Sequence, residues 1–207
     1  MFSSVLKRLG NPEPNGSEKV IPMLAGGRNS ITLPLTMKRI FSLLLAPFAF
    51  LLPPMSAKEP LDIGAEAPSV EAINQDGETV CLEELYKEGD VLVYFYPRAD
   101  TPGCTAQACS LRDDFEALSD RDVIVVGVSA DDVETQKAFQ EKYELPFVLL
   151  ADTERKVIEA FGVPTRGTFA TRQTFLVRAG KIVWRDLSAS TAKQAADVLQ
   201  ALASLDE

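Results

Sequence analysis

Two cysteines five positions apart, Cys104 and Cys109, stand in the stretch Tyr94 to Phe115, YFYPRADTPGCTAQACSLRDDF. An apolar run from Val91 to Tyr96 ends at Pro97, a polar loop follows, and Thr101-Pro102-Gly103-Cys104 opens a segment of helical character. Cys104 is thus expected at the start of a helix, directly after a buried strand. The free N–H groups of a first helical turn and the helix dipole favour negative charge there, which polarises a thiol towards the nucleophilic thiolate. A free cysteine is more often a small buried hydrophobe. The Pro-Gly turn, the strand end and the Thr101 hydroxyl three residues earlier favour the reactive reading.

Cys109 lies on the same expected helix. From helical rise and rotation, Cα atoms five residues apart stand roughly 8–9 Å apart, whereas a disulfide needs them within about 7 Å. A static bridge inside a formed helix is not expected. A bridge formed in turnover, coupled to local unwinding, is compatible with the spacing. The third cysteine, Cys81, sits between Val80 and Leu82 in a strand candidate and reads as a packed or half-exposed bystander.

Composition narrows the remaining chemistry. The 207 residues include no histidine, which removes the commonest general base and metal ligand. Three cysteines without metal-site spacing do not make a zinc site or a disulfide scaffold. Thirty acidic against 21 basic residues give a net charge of −9, with no basic stripe for nucleic acid. Catalysis must rest on a thiol, carboxylates, or Lys and Arg. No cofactor and no metal are expected.

The elements that must position the thiols alternate. Strands are expected at Ser69–Ile73, Thr79–Leu82, Val91–Tyr96, Val123–Val128, Phe147–Leu150, Gln173–Arg178 and Lys181–Asp186. Helices are expected at Leu82–Lys87, Cys104–Leu118, from an Asp131 or Asp132 cap to Tyr143, Glu154–Phe161 and Thr191–Leu205. Ala179-Gly180 reads as a tight hairpin and Gly162 as a helix C-terminal glycine. The fold class is α/β, a central mixed β-sheet flanked by helices on both faces.

The first third differs from the rest. Residues 1–36 show no sustained period and read as a non-folded extension, with the true start expected at Met37. Met37-Lys38-Arg39, the apolar run Ile40 to Leu52 and the small residues to Ala57 read as a signal peptide over 37–57. The run is shorter than the roughly 17–25 residues of a membrane-spanning helix. Export, most simply to a periplasm, is the expectation, with an uncleaved membrane anchor as the alternative. The folded domain is then 58–207, an acidic body with no attraction to anionic lipid.

The run Pro97-x-x-x-Thr101-x-x-Cys104, preceded by Tyr94-Phe95-Tyr96, resembles the peroxiredoxins. Cys109 points to their bacterioferritin-comigratory-protein, or peroxiredoxin Q, subfamily. The resemblance extends over most of 61–204, through Gly127-Val128-Ser129-Ala130-Asp131, Leu145-Pro146-Phe147, Phe161-Gly162-Val163 and Arg172-Gln173-Thr174-Phe175-Leu176. It implies a thioredoxin-like fold and a thiol peroxidase acting on hydrogen peroxide and organic hydroperoxides. By the same resemblance Cys104 is the peroxidatic cysteine, Cys109 resolves it by an intramolecular disulfide, and Thr101 bonds the peroxide. Pro97 shields the thiolate and Arg172 brings a guanidinium to the sulfur. A thioredoxin or thioredoxin-like protein would be the reductant, and intramolecular resolution suits a monomer. Without the resemblance Arg172 would read as an ordinary surface charge. The alternatives are a peroxide-sensing redox switch without significant turnover and a structural domain with inert thiols.

Overall fold

The computed structural model describes residues 59–207. The expected extension and signal peptide, 1–36 and 37–57, lie outside the described residues.

A seven-stranded mixed sheet forms the centre, in the order β2-β1-β5-β4-β3-β8-β9. Its strands are β1 (Glu71–Asn74), β2 (Thr79–Cys81), β3 (Asp90–Phe95), β4 (Val123–Ser129), β5 (Val148–Ala151), β8 (Gln173–Arg178) and β9 (Lys181–Asp186). β3, β4 and β5 run parallel, and β8 joins β3 antiparallel, with Phe95 opposite Gln173. Two two-residue strands, β6 (Thr165–Arg166) and β7 (Phe169–Ala170), form a separate small hairpin. They are too short to leave a period in the sequence.

β3 shows how one strand serves two cores, because successive side chains point to opposite faces. Leu92 and Tyr94, with Tyr96 just beyond the strand, enter one cluster with Cys104, Ala108, Leu111, Phe139, Phe147 and Val198. Val91, Val93 and Phe95 enter the other, with Leu82, Tyr86, Val157, Phe161 and Phe175. The first is covered by α2 (Pro102–Asp113), α3 (Phe115–Ser119), α4 (Val133–Tyr143) and α6 (Gln194–Leu205). The second is covered by α1 (Leu82–Glu88) and α5 (Lys156–Ala160). The expected α/β class, with helices on both faces of a mixed sheet, is what the chain forms.

Close approach explains one glycine on the central strand β4. A Cβ at Gly127 would meet the Tyr94 ring and Leu149 at 2.7 Å, so the Tyr94 ring lies where a side chain at 127 would stand.

Strand ends shift by one or two residues, and three helices depart from the expectation in ways that bear on the site or the packing. The single helix expected over Cys104–Leu118 is two, α2 and α3, broken at Asp114, whose backbone leaves the helical region at φ −104°, ψ 18°. Asp113 and Asp114 are both poor helix formers, and Arg112 is drawn aside to Tyr143 O and Asp113. α5 begins at Lys156 rather than Glu154, because Arg155 takes a left-handed conformation and Asp152 accepts the Ile158 N–H at 2.8 Å. α6 begins at Gln194, three residues later than expected. The Ala179-Gly180 turn has positive φ at both residues, as a tight hairpin of this kind requires.

Candidate active site

The site is built where β3 ends and α2 begins. Thr101 is the N-cap residue of α2, Pro102 opens the helix, and Cys104 is its third residue. The first intrahelical bond runs from Thr105 N to Thr101 O at 2.8 Å. The N–H groups of Gly103 and Cys104 therefore precede the helical ladder, in the part of a helix that favours an anion. Cys104 is 2% exposed.

The loop that delivers these residues is clamped from two directions. Asp131 accepts the Ala99 N–H at 2.7 Å and the Ser129 hydroxyl at 2.7 Å, which ties the loop to the end of β4. Asp100, at φ 56°, receives Lys142 Nζ at 2.7 Å and the Tyr143 hydroxyl at 2.6 Å from α4. These donors hold the Asp100 carboxyl below its ordinary value, the Lys142 bond most of all. Beneath, the Tyr96 hydroxyl donates to Gln136 Oε1 at 2.5 Å, and Gln136 in turn donates to Ser129 Oγ and Leu150 O. Burial pushes the Tyr94 and Tyr96 phenols well up, so the floor of the site is neutral and neither phenol is a base there.

Arg172 enters from the segment before β8. The pairing of β8 with β3 brings it to the end of β3, and its Nη2 donates to Cys104 Sγ at 3.3 Å. A Cβ at Gly103 would stand 3.2 Å from that same Nη2, so the glycine leaves room for the guanidinium at the helix start. Nη1 of Arg172 donates to Gln107 Oε1, one helical turn below Cys104. Gln107 Nε2 donates to Gln194 Oε1 at 2.7 Å, and Thr174 Oγ1 donates to the same oxygen at 3.0 Å. Gln107, Gln194 and Thr174 were not singled out in the sequence. Only the cysteine-plus-three position of Gln107 on an expected helix marked it; Thr174 stood in the quoted run after Arg172 without a role, and nothing marked Gln194.

The remaining site residues are placed as follows. Thr101 Oγ1 donates to Arg98 O at 3.0 Å and keeps its acceptor lone pairs. Pro97 is half-buried and lines a groove of about 620 Å³ with Arg172, Phe169 and Leu187. Cys109 is half-buried on α2, and all three cysteines are free thiols. Both reactive candidates thus lie on one intact helix. Cys81 is half-buried where β2 passes into α1, between Val80 and Leu82 of the second core. Among the described residues no group of three or more His, Cys, Asp or Glu could hold a metal ion, and no helix is long and apolar enough to cross a membrane.

An Arg-paired thiol at a helix start, with a second thiol on the same helix, can be oxidised by a peroxide and then closed to a disulfide. Comparison with known proteins agrees with that chemistry. Residues 63–185 match the AhpC/TSA family. The chain is 38% identical over 157 residues to peroxiredoxin Bcp of Bacillus subtilis, covering 71% of this chain and 98% of that one. It is 45% identical over 116 residues to chloroplastic peroxiredoxin Q of Populus jackii, of whose length it spans 54%. The crystal structure of peroxidoxin BcpB from Mycobacterium tuberculosis superposes with a TM-score of 0.65 at 31% identity, over 70% of this chain and 97% of that one. The chain belongs to the AhpC/TSA family: it is a peroxiredoxin of the Bcp and peroxiredoxin Q group, a thiol-dependent peroxidase.

Proposed function

We propose that Cys104 is the peroxidatic cysteine and Cys109 the resolving cysteine, acting on hydrogen peroxide and organic hydroperoxides. The Arg172 Nη2 contact with Cys104 Sγ at 3.3 Å carries this reading. A guanidinium beside a buried sulfur at a helix start stabilises negative charge on the attacking sulfur and on the oxygen it displaces.

In the first step the Cys104 thiolate attacks the distal oxygen of the hydroperoxide. The S–O bond forms as the O–O bond breaks, the sulfur is oxidised to sulfenic acid, and water or alcohol leaves after taking a proton. Thr101 Oγ1 accepts the hydrogen bond of the incoming O–H, since its own proton is already given to Arg98 O. Arg172 and the Gly103 and Cys104 N–H groups face the charge that develops on the leaving oxygen. Pro97, in the groove wall, keeps water from the sulfur.

In the second step Cys109 attacks the Cys104 sulfenic sulfur. A disulfide forms and the hydroxyl leaves as water. α2 must unwind between the two thiols for this closure, because the helical spacing of roughly 8–9 Å exceeds disulfide reach. A dithiol protein of the thioredoxin kind then reduces the disulfide by exchange and is itself oxidised. Closure within one chain suits a monomer. The apolar run after Met37 supports export, to the periplasm in a bacterium with two membranes, with cleavage after Ala57 and an exported thioredoxin-like reductant; N-terminal sequencing of the native protein tests this.

The test of the site is peroxide turnover with a recycling dithiol protein in wild type, Cys104→Ser and Cys109→Ser. Loss of all peroxide reaction in Cys104→Ser, with a first oxidation retained but recycling lost or slowed in Cys109→Ser, is expected. Full activity in Cys104→Ser overturns the assignment. Oxidation without turnover in wild type would favour the redox-switch reading, which the family match does not favour.

A further inference from the structure

The contact between Arg172 and Cys104 is the end of a longer buried chain whose hydrogen-bond directions are fixed by its first member. A guanidinium carries only donors, so Gln107 must turn Oε1 towards Arg172. The amide nitrogen of Gln107 then faces away, and it donates to Gln194 Oε1 at 2.7 Å across 87 positions of the sequence. That oxygen also receives the Thr174 hydroxyl at 3.0 Å. Gln107, Gln194 and Thr174 are all 0% exposed.

Gln194 is left with a consequence of this polarity. Its own amide nitrogen is buried and finds no partner among the described residues. Reversing the Gln194 amide would set two nitrogens face to face and give up its good bond from Gln107. A buried donor without an acceptor is unfavourable, and an apolar residue packed at this place would avoid it. Packing alone therefore does not account for glutamine at 194; an acceptor for Gln107 does.

We propose that Gln194 is a positioning residue for the peroxidase reaction: through Gln107 it holds the Arg172 guanidinium against Cys104. The proposal rests on Cys104 being the attacking sulfur. Gln194 is the first residue of α6, and Thr174, which shares its oxygen, lies on β8. Both belong to regular elements, so the acceptor is fixed in space. α2 and α6 meet a second time where Ser110 Oγ accepts the Ala195 N–H at 3.2 Å. Gln107 is thus held between two helices, with a single amide orientation that serves Arg172. Without the Gln194 oxygen its amide can rotate, and Arg172 loses the anchor that keeps Nη2 on the sulfur.

The experiment is the rate of the first oxidation by hydrogen peroxide in the reduced full chain, measured across pH. Gln194→Leu is expected to react roughly 10-fold slower, in keeping with the cost of slight misplacement, with its pH profile displaced to the alkaline side. Gln194→Glu, which keeps an acceptor oxygen, is expected to recover most of the rate. Gln107→Leu is expected to be slow as well, and adding Gln194→Leu to it to change nothing further. A Gln194→Leu protein with the wild-type pH profile overturns the proposal, whatever its melting temperature. So does a Gln194→Glu protein as slow as Gln194→Leu, or a double variant in which the two losses multiply. Cys104→Ser, run alongside, separates the two levels: persistence of the reaction there removes the underlying assignment, while its loss leaves the Gln194 arms to decide the positioning role.

Discussion

Arg172 Nη2 stands 3.3 Å from Cys104 Sγ, although 68 positions of sequence separate the two residues. The sheet makes the meeting unavoidable. Gln173 pairs with Phe95, so the residue before β8 lies beside the chain leaving β3, and that chain leads within a short clamped loop to Cys104.

The guanidinium serves two partners at once, Cys104 through Nη2 and Gln107 through Nη1. A lysine ammonium is a point charge and cannot reproduce that fork. Arg172→Lys is expected to slow the first oxidation by about 10-fold or more, and Arg172→Leu by about 10²–10³-fold, the usual scale for loss of a preorganised charge-stabilising donor. Stopped-flow oxidation of the reduced protein by peroxide measures both.

The Thr105 hydroxyl is buried in α2, between the two thiols, and has no hydrogen-bond partner among the described residues. Thr105→Ala removes it and improves helix propensity by about 0.5 kcal/mol. A firmer helix resists the unwinding that the proposed Cys104–Cys109 closure needs. Closure is expected to slow roughly 2-fold while the first oxidation keeps its rate, and rapid-quench trapping of the sulfenic acid separates the steps. Equal slowing of both steps would count against unwinding as the controlling event.

Gly103 offers a change in which stability and activity should part. A methyl at 103 would come to 3.2 Å from Arg172 Nη2 and 3.6 Å from Thr191 Cγ2. Gly103→Ala favours the helix by up to about 1 kcal/mol, so the melting temperature should not fall. The first oxidation should nevertheless slow several-fold, because the guanidinium is displaced from the sulfur. Thermal melting and oxidation kinetics on one preparation decide it.

The Asp100 clamp should be sensitive to acid. Its carboxyl is held low by Lys142 and Tyr143, so it stabilises the fold above its unfolded titration range, near pH 4. That contribution is lost as pH falls through the lower folded value. Asp100→Asn is therefore expected to melt below wild type at neutral pH, with the gap closing as pH drops beneath about 4. Melting curves across pH show whether the gap closes; a constant gap would place the effect elsewhere.

Gly127 tests the packing under the site. Gly127→Ala places a methyl 2.7 Å from the Tyr94 ring and Leu149 inside a closed core. Overpacking of this kind costs about 1–3 kcal/mol, and a denaturant titration should show the midpoint fall by a corresponding amount.

Much of the arrangement was legible in the linear sequence, for identifiable reasons. β8 and β9 fall at Gln173–Arg178 and Lys181–Asp186, as expected, because Ala179-Gly180 admits a two-residue turn and fixes both strand ends. The break at Asp114 was not legible, because the apolar stripe of Ala108, Leu111, Phe115 and Leu118 continues across it. The late start of α5 depends on Asp152 accepting the Ile158 N–H, a choice made by the fold rather than by propensity.

The same division runs through the site. By itself the sequence determined that catalysis had to rest on a thiol, carboxylates, or Lys and Arg, since it contains no histidine, and that Cys104 and Cys109 lie on one helix after a buried strand. Local rules suffice for that, because helix starts and periodicity are written within a few residues. The tertiary structure decided how Arg172 reaches the sulfur, and that Gln107, Gln194 and Thr174 form the buried chain behind it. Those contacts join α2, β8 and α6, whose neighbours are chosen by strand pairing and helix docking. No local pattern records which polar atoms such packing brings within hydrogen-bond distance of one another.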